Sequence, residues 1–176
     1  MLALAVFLVA HLQAPGTGCS GSSRTIVTDS TVGPIRLGDT IRGVRGRCRI
    51  VRDTVQPNSD FVEPERVLSI SVGGDTVQAV VDTAGVVTRI YVDAPRFRTA
   101  DGLGVGTKLR TLAARGASGG QAESTFGVSL PRHCGLRFVI AGMQGVQQGD
   151  ELDATHLRQQ PTTASVKRIE IVGCRS

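Results

Sequence analysis

Aromatic residues are nearly missing from this chain: there is no Trp, a single Tyr at Tyr91, and aromatics make up 3% of the sequence. The core must therefore be aliphatic, built from Val, Ile, Leu and Ala. The side chains that most often anchor tight interfaces or stack on bases and sugars are also scarce. Lysine is confined to Lys108 and Lys167, so the formal net charge of +5 is carried almost wholly by arginine. The densest cationic run is Arg42, Arg45, Arg47, Arg49 and Arg52. No aromatic residue is interleaved there, which removes the stacking platform that single-stranded nucleic acid requires. No helix-turn-helix, zinc-finger or RNA-binding signature occurs, so no nucleic-acid partner is expected. The run reads either as an Arg-rich composition or as a surface that attracts anions.

Motifs for chemistry are also lacking. No Cys-x-x-Cys occurs among the four cysteines, and His133 beside Cys134 is a lone pair, so no metal site is expected. There is no Gly-x-Ser-x-Gly elbow. His133 and His156 are the histidines beyond the N-terminal segment; Ser129 lies near His133 in sequence, but no orienting acid is evident. Asp60, Glu63 and Glu65 are the candidates for paired-carboxylate hydrolysis, and they fall in a loop of turn residues. Gly102-Leu103-Gly104-Val105-Gly106-Thr107-Lys108 resembles a phosphate-cradling turn. However, it has Gly-Thr-Lys where a phosphate loop has Gly-Lys followed by Ser or Thr. Its glycines read as backbone geometry. No catalytic residue and no cofactor are expected, and the reading is that the protein is not an enzyme.

Long hydrophobic runs are absent too. Leu2 to Ala10 is apolar throughout but too short to span a bilayer. It has the length of a signal-peptide core, and small residues follow it. The basic residues that usually precede such a core are not there, which leads us to expect a start upstream of Met1. Residues 1–18 read as a signal peptide and 19–31 as a tether. Gly16-Thr17-Gly18-Cys19, followed by Ser20-Gly21-Ser22-Ser23, resembles a bacterial lipoprotein signal. There Cys19 would be acylated and would anchor the domain to a membrane. Gly16 stands where that signal usually carries Leu, and the alternative is ordinary cleavage with a soluble product.

Export implies an oxidising compartment and paired cysteines. Cys134 begins a strand-like run and Cys174 ends one, so a Cys134–Cys174 bridge is expected between antiparallel neighbours. The parity is awkward: Cys134 alternates with Leu136 and Phe138, Cys174 with Arg168 and Glu170. Gly173 would have to break the register. Cys48 is then free, or pairs with Cys19 if that residue is neither lipidated nor removed.

What the chain does have is a repeated pattern. GPIRLGDTIRGVRG from Gly33 and the run from Arg98 to Gly116 superpose, with Ile35 on Leu103, Gly38 on Gly106, Ile41 on Leu109 and Val44 on Leu112. Later, Val87-Thr88-Arg89-Ile90-Tyr91-Val92 superposes on Val166-Lys167-Arg168-Ile169-Glu170-Ile171. The helical part is short, with Asp39 or Thr40 placed to cap it and Gly43 and Gly46 limiting it. Alternation predicts strands over Arg66–Val72, Thr76–Asp82 and Val86–Asp93, joined at Gly73-Gly74-Asp75 and Thr83-Ala84-Gly85. In the second half, strands are predicted over Ser124–Leu130, Gly135–Ala141 and Ser165–Val172, and Gly116–Gln121 reads as a flexible loop. A short helix over Asp153–Arg158 sits in a polar insertion. The predicted fold is therefore α+β: two tandem helix-plus-three-strand units, 32–95 and 96–176 with an insertion at 142–161. Together they form an antiparallel sheet of about six strands with short helices packed on one face.

The Ile-x-Leu-Gly-x-Thr-x-x-x-Val pattern is carried here by Ile35, Leu37, Gly38, Thr40 and Val44. Leu103, Val105, Gly106, Leu109 and Leu112 carry it a second time. It resembles small bacterial envelope domains of the β-lactamase-inhibitor-protein-like and SmpA/OmlA-type lipoprotein families. That resemblance implies helices on an antiparallel sheet and binding to other proteins rather than catalysis. The scarcity of aromatics departs from the inhibitor, so neither its activity nor any binding residue is carried over. The expectation is an exported, periplasmic or membrane-anchored domain that works through an unknown protein partner. The alternative is a secreted inhibitor or ligand-binding module without lipid, and a hydrolase is a more distant one.

Overall fold

The computed structural model describes residue 19 and residues 25–57, 64–122 and 125–174. Near the start, β1 (Ile26–Val27), β2 (Thr31–Val32) and β3 (Ile35–Arg36) precede α1 (Ile41–Arg47). Four strands follow: β4 (Ile50–Gln56), β5 (Glu65–Val72), β6 (Asp75–Val81) and β7 (Val87–Val92). The chain continues with β8 (Arg98–Thr99), α2 (Leu109–Ala113), β9 (Ser118–Ala122), β10 (Thr125–Leu130) and β11 (His133–Ala141). It closes with β12 (Glu151–Leu152), α3 (Ala154–Gln159) and β13 (Ser165–Ile171).

The expectation of an antiparallel α+β architecture holds. Among the described residues, nine strands form one sheet in the order β12-β9-β10-β11-β13-β7-β6-β5-β4, every pair antiparallel. A second, four-stranded sheet runs β3-β2-β1-β8, with β1 and β8 parallel. β1 and β2 fall within the stretch read as a tether, yet Val27 and Val32 are buried.

Alternation explains the central strands. Leu68, Ile70 and Val72 of β5, Val77, Ala79 and Val81 of β6, and Ile90 and Val92 of β7 are buried in one cluster. Across the seam they meet Ile169 and Ile171 of β13 and Leu136, Phe138 and Ile140 of β11. Val44 of α1, Leu109, Leu112 and Ala113 of α2, and Leu157 of α3 join the same cluster, so all three helices cover one face. The turn expected at Gly73-Gly74-Asp75 is present as a two-residue β5–β6 connection, with Gly73 at φ 55° and Gly74 at φ 96° and Asp75 already in β6 opposite Val72. Positive φ at both turn positions suits the right-handed twist of the strands, and glycine adopts it without a Cβ clash.

Some expectations need correction. The sheet has nine strands rather than about six. β4 carries alternately placed residues that are mostly exposed, so it has no apolar period to detect. The Gly116–Gln121 stretch, expected to be a flexible loop, instead supplies most of β9, Ser-Gly-Gly-Gln-Ala, which pairs over five positions with β10. Gly119 lies so close to Gly127 O and Val128 that only glycine fits. Nor do Gly43 and Gly46 end α1, which runs through both to Arg47. Thr40 is its cap, accepting from Gly43 N at 3.2 Å, and Asp153 caps α3 by accepting from Thr155 N and His156 N.

Candidate interaction surface

Covering one face of a nine-stranded sheet with short helices leaves the other face without them. Among the described residues no helix buries a side chain there. Its residues are the ones between the core positions. Cross-strand pairing sets Ser69 opposite Gln78, Gln78 opposite Tyr91, Tyr91 opposite Glu170, and Glu170 opposite Arg137, one row across the sheet. Val67, Val80 and Val139 lie on this same face, and each is buried outside the main core cluster. Arg89 stands directly opposite Val80, and Arg168 opposite Val139. The aliphatic stems of these arginines supply cover that no helix provides.

The only tyrosine of the chain sits at the centre of this face. Arg168 lies 5.0 Å and Arg89 5.9 Å from its ring centroid, both within cation–π range. Arg89 Nη1 also donates to Tyr91 Oη at 2.7 Å. Burial pushes the Tyr91 phenol above its ordinary pKa, against the pull of Arg89. Arg168 holds Asp93 with two parallel bonds of 2.7 and 2.8 Å, which raises its own pKa. Arg137 bonds Glu170 at 3.3 Å, and Arg89 lies 3.6 Å from Glu65. Each guanidinium group is thereby held by partners in or beside the face. Beyond Arg137 the face dips into a groove of about 640 Å³ between β10 and β12, lined by Ser118, Gly120, Gly127, Ser129, Arg137 and Glu151. A Cβ at Gly127 would collide with the Arg137 guanidinium, so this glycine lets the arginine lie down.

The residues singled out in the sequence fall elsewhere. Cys134 and Cys174 are joined, with Cα atoms 4.9 Å apart; Gly173, at φ 76°, makes the register break that this bridge requires. Cys19 and Cys48 form a second bridge. Two disulfides are consistent with an exported, oxidising environment, and no helix of the described residues is long and apolar enough to cross a membrane. Asp29, Cys134 and Cys174 bring ligand atoms together, but both sulfurs are consumed in the bridge. Of the arginine run, Arg45 pairs with Asp53 at 3.1 Å and Arg47 with Asp39 at 2.6 Å. Arg66 joins Asp53 at 2.8 Å, and its hydrogen bonds hold that carboxyl below the ordinary 3.8.

His133 has a partner the sequence did not disclose. Its Nε2 lies 3.2 Å from Asp101, which also takes bonds from Thr99 and Arg115. The Thr99 hydroxyl is the main cause of a lowered Asp101 pKa, with His133 contributing next. No hydrogen bond joins Ser129 to His133, whose partner is Asp101; Ser129 lines the Arg137 groove instead. His156 turns to Asp153 at the start of α3. Asp60 and Glu63 lie outside the described residues, and Glu65 is occupied by Arg89. In the glycine-rich turn, the amides of Gly102, Leu103, Gly104, Gly106 and Thr107 all donate within the chain. They are not presented to a ligand.

No protein-family model matches the chain, and no curated protein matches it by sequence. In structure it is similar to the uncharacterized protein YfeY from Escherichia coli, with a TM-score of 0.58 at 13% identity. The similarity spans 84% of this chain and 99% of that one. It speaks to the fold alone, and no nucleic-acid-binding fold is indicated.

Proposed function

We propose that this is an exported, non-catalytic protein-interaction domain of the bacterial envelope, and that the helix-free sheet face around Tyr91 is its working surface. The observation that carries the reading is the pinned cluster of Arg89, Tyr91 and Arg168 at the middle of that face. Tyrosine and arginine dominate the energetics of protein interfaces, and the rest of the chain is nearly free of aromatics. An interface made of pre-ordered side chains loses little further entropy on binding. The resemblance to small bacterial envelope domains belongs to this proposal, without a lipid on the bridged Cys19.

Two tandem units are part of it. Supporting them, Gly38 N bonds Val87 O at 2.8 Å and Gly106 N bonds Val166 O at 2.8 Å. Likewise Val87 N bonds Asp39 O at 2.8 Å and Val166 N bonds Thr107 O at 2.9 Å. These are the residues that the sequence repeat superposes. The β7–β13 seam pairs Ile90 with Ile171 and Val92 with Ile169, so its pairing is symmetric about Tyr91 and Glu170. The cluster thus sits where the two units meet.

A second reading, a secreted module without a lipid anchor, is favoured by one observation. A sulfur bonded to Cys48 has no valence left for a lipid thioether, so the bridge and acylation of Cys19 exclude each other.

The surface is tested by placing a photo-crosslinking residue at Gln78 or Ser69 in producing cells, with Thr111 on α2 as the control. The expected result is a discrete protein adduct from the sheet positions and none from Thr111. No adduct from the sheet, or the same adduct from Thr111, overturns the proposal.

A further inference from the structure

Positive charge is concentrated in one segment of the chain. Between Arg36 and Gln56 six arginines face two carboxylates, Asp39 and Asp53, a balance of +4 (six minus two) out of a total of +5. This segment runs from Arg36 of β3 through α1 to the edge strand β4, and the stretch from α1 to β4 carries the remaining five arginines. Asp53 is shared by Arg45 and Arg66, and Asp39 is taken by Arg47. Arg42, Arg49 and Arg52 are exposed and meet no carboxylate among the described residues. Arg42, Arg45 and Arg66 also rim a cleft of about 430 Å³ against Gly85. On the same strand, Val51 is 48% and Val55 67% exposed. They are two of the four large apolar side chains that the described surface leaves open.

We infer that the β4 edge, with α1 beside it, is a docking surface for anionic phospholipid headgroups. Each arginine near an anionic bilayer contributes on the order of 1 kcal/mol, and apolar side chains between the cations enter the headgroup boundary. Other occupants fit less well. A second copy would bring like charge against like. A nucleic acid would find no aromatic to stack on among the described residues of α1 and β4. A protein partner would find neither Tyr nor Trp in this segment. The inference does not rest on the Tyr91 surface, because vesicle binding requires no protein partner.

The test is co-sedimentation of the oxidised protein with vesicles of phosphatidylethanolamine and phosphatidylglycerol, against vesicles of phosphatidylcholine alone. The expected result is binding to the anionic vesicles only, weakening as salt rises. Combined Arg42→Gln, Arg49→Gln and Arg52→Gln should weaken it on the order of 100-fold. Val51→Ser with Val55→Ser should weaken it several-fold while leaving the salt dependence intact. All these side chains are exposed, and matching far-UV circular dichroism and melting curves establish that the variants fold. Equal binding to phosphatidylcholine, absence of binding to the anionic vesicles, or an unchanged affinity in the triple arginine variant overturns the inference. So does preferential capture of an acidic peptide or a DNA oligonucleotide over the vesicles.

Discussion

The same substitution, Gly→Ala, should change stability in opposite directions at two positions. Gly46 lies in the last turn of α1, and a Cβ built there meets nothing within 4 Å. Its φ is not in the left-handed region, so alanine costs no strain and removes chain entropy from the unfolded state. The gain is about 0.5–1 kcal/mol. At 2–4 °C per kcal/mol for a domain of this size, the melting temperature rises by about 1–4 °C. Gly135 in β11 also lacks a positive φ, but a Cβ there collides with the backbone carbonyl of Asp29 and comes within 2.8 Å of Asp29 Cβ. Backbone cannot swing aside as a flexible side chain does. The turn around Asp29 is held by Thr28 N to Thr31 O at 2.9 Å, and it must retreat as a unit from the sheet. Overpacking of this kind costs about 1–3 kcal/mol, a fall of about 2–12 °C. The absence of Trp makes far-UV circular dichroism the natural probe, in thermal and urea melts of the oxidised protein. A Gly135→Ala variant as stable as the parent would show that β11 and the β1–β2 turn are not in contact. A destabilised Gly46→Ala variant would show that α1 does not pass through that residue.

Replacing Cys134 and Cys174 together by Ser opens a loop with a sequence separation of 40. The chain-entropy relation gives a loss of about 4 kcal/mol, read as a lower urea midpoint; an unchanged midpoint would refute the bridge. Acid should remove the contribution of Asp53. Its folded pKa is depressed by the Arg66 hydrogen bond and then by Arg45. The stabilisation is therefore complete above the ordinary 3.8 and is lost as pH falls through the lowered folded value. Asp53→Asn should cost about 0.2–1 kcal/mol at neutral pH and narrow its gap to the parent below about pH 4; a gap that widens on acidification contradicts the assignment.

Much of the fold is legible where burial imposes a period. Leu68, Ile70 and Val72 alternate because one face of β5 is in the core, and the Gly73-Gly74 turn fixes their register against β6. The Cys134–Cys174 bridge was legible for a similar reason, since Gly173 supplied the one backbone break that parity demanded. β4 and β9 were not legible. The first is an edge strand with little to bury, and the second gives up side chains altogether so that Gly119 can lie against Gly127 O. The candidate surface was hidden for a different reason. Arg89, Tyr91, Arg137 and Arg168 occupy the polar half of each alternation, which reads as ordinary solvated face. Only the pairing of β13 with both β7 and β11 brings them together. Gly127 did carry a signal, because a glycine inside a strand marks a close approach, but the sequence does not say that the approaching group is Arg137. Asp101 and His133 are 32 residues apart and meet only through the fold.

The central claim is that the chain works outside the cytoplasm as a domain closed by two bridges, with the Cys19 sulfur in one of them. Intact mass of the protein recovered from its native host, before and after reduction, tests it most directly. The account predicts a polypeptide that retains Cys19, carries no acyl chain, and gains two hydrogens for each of two bridges on reduction. A mass increased by acyl groups at Cys19, or a species unchanged by reductant, would contradict it.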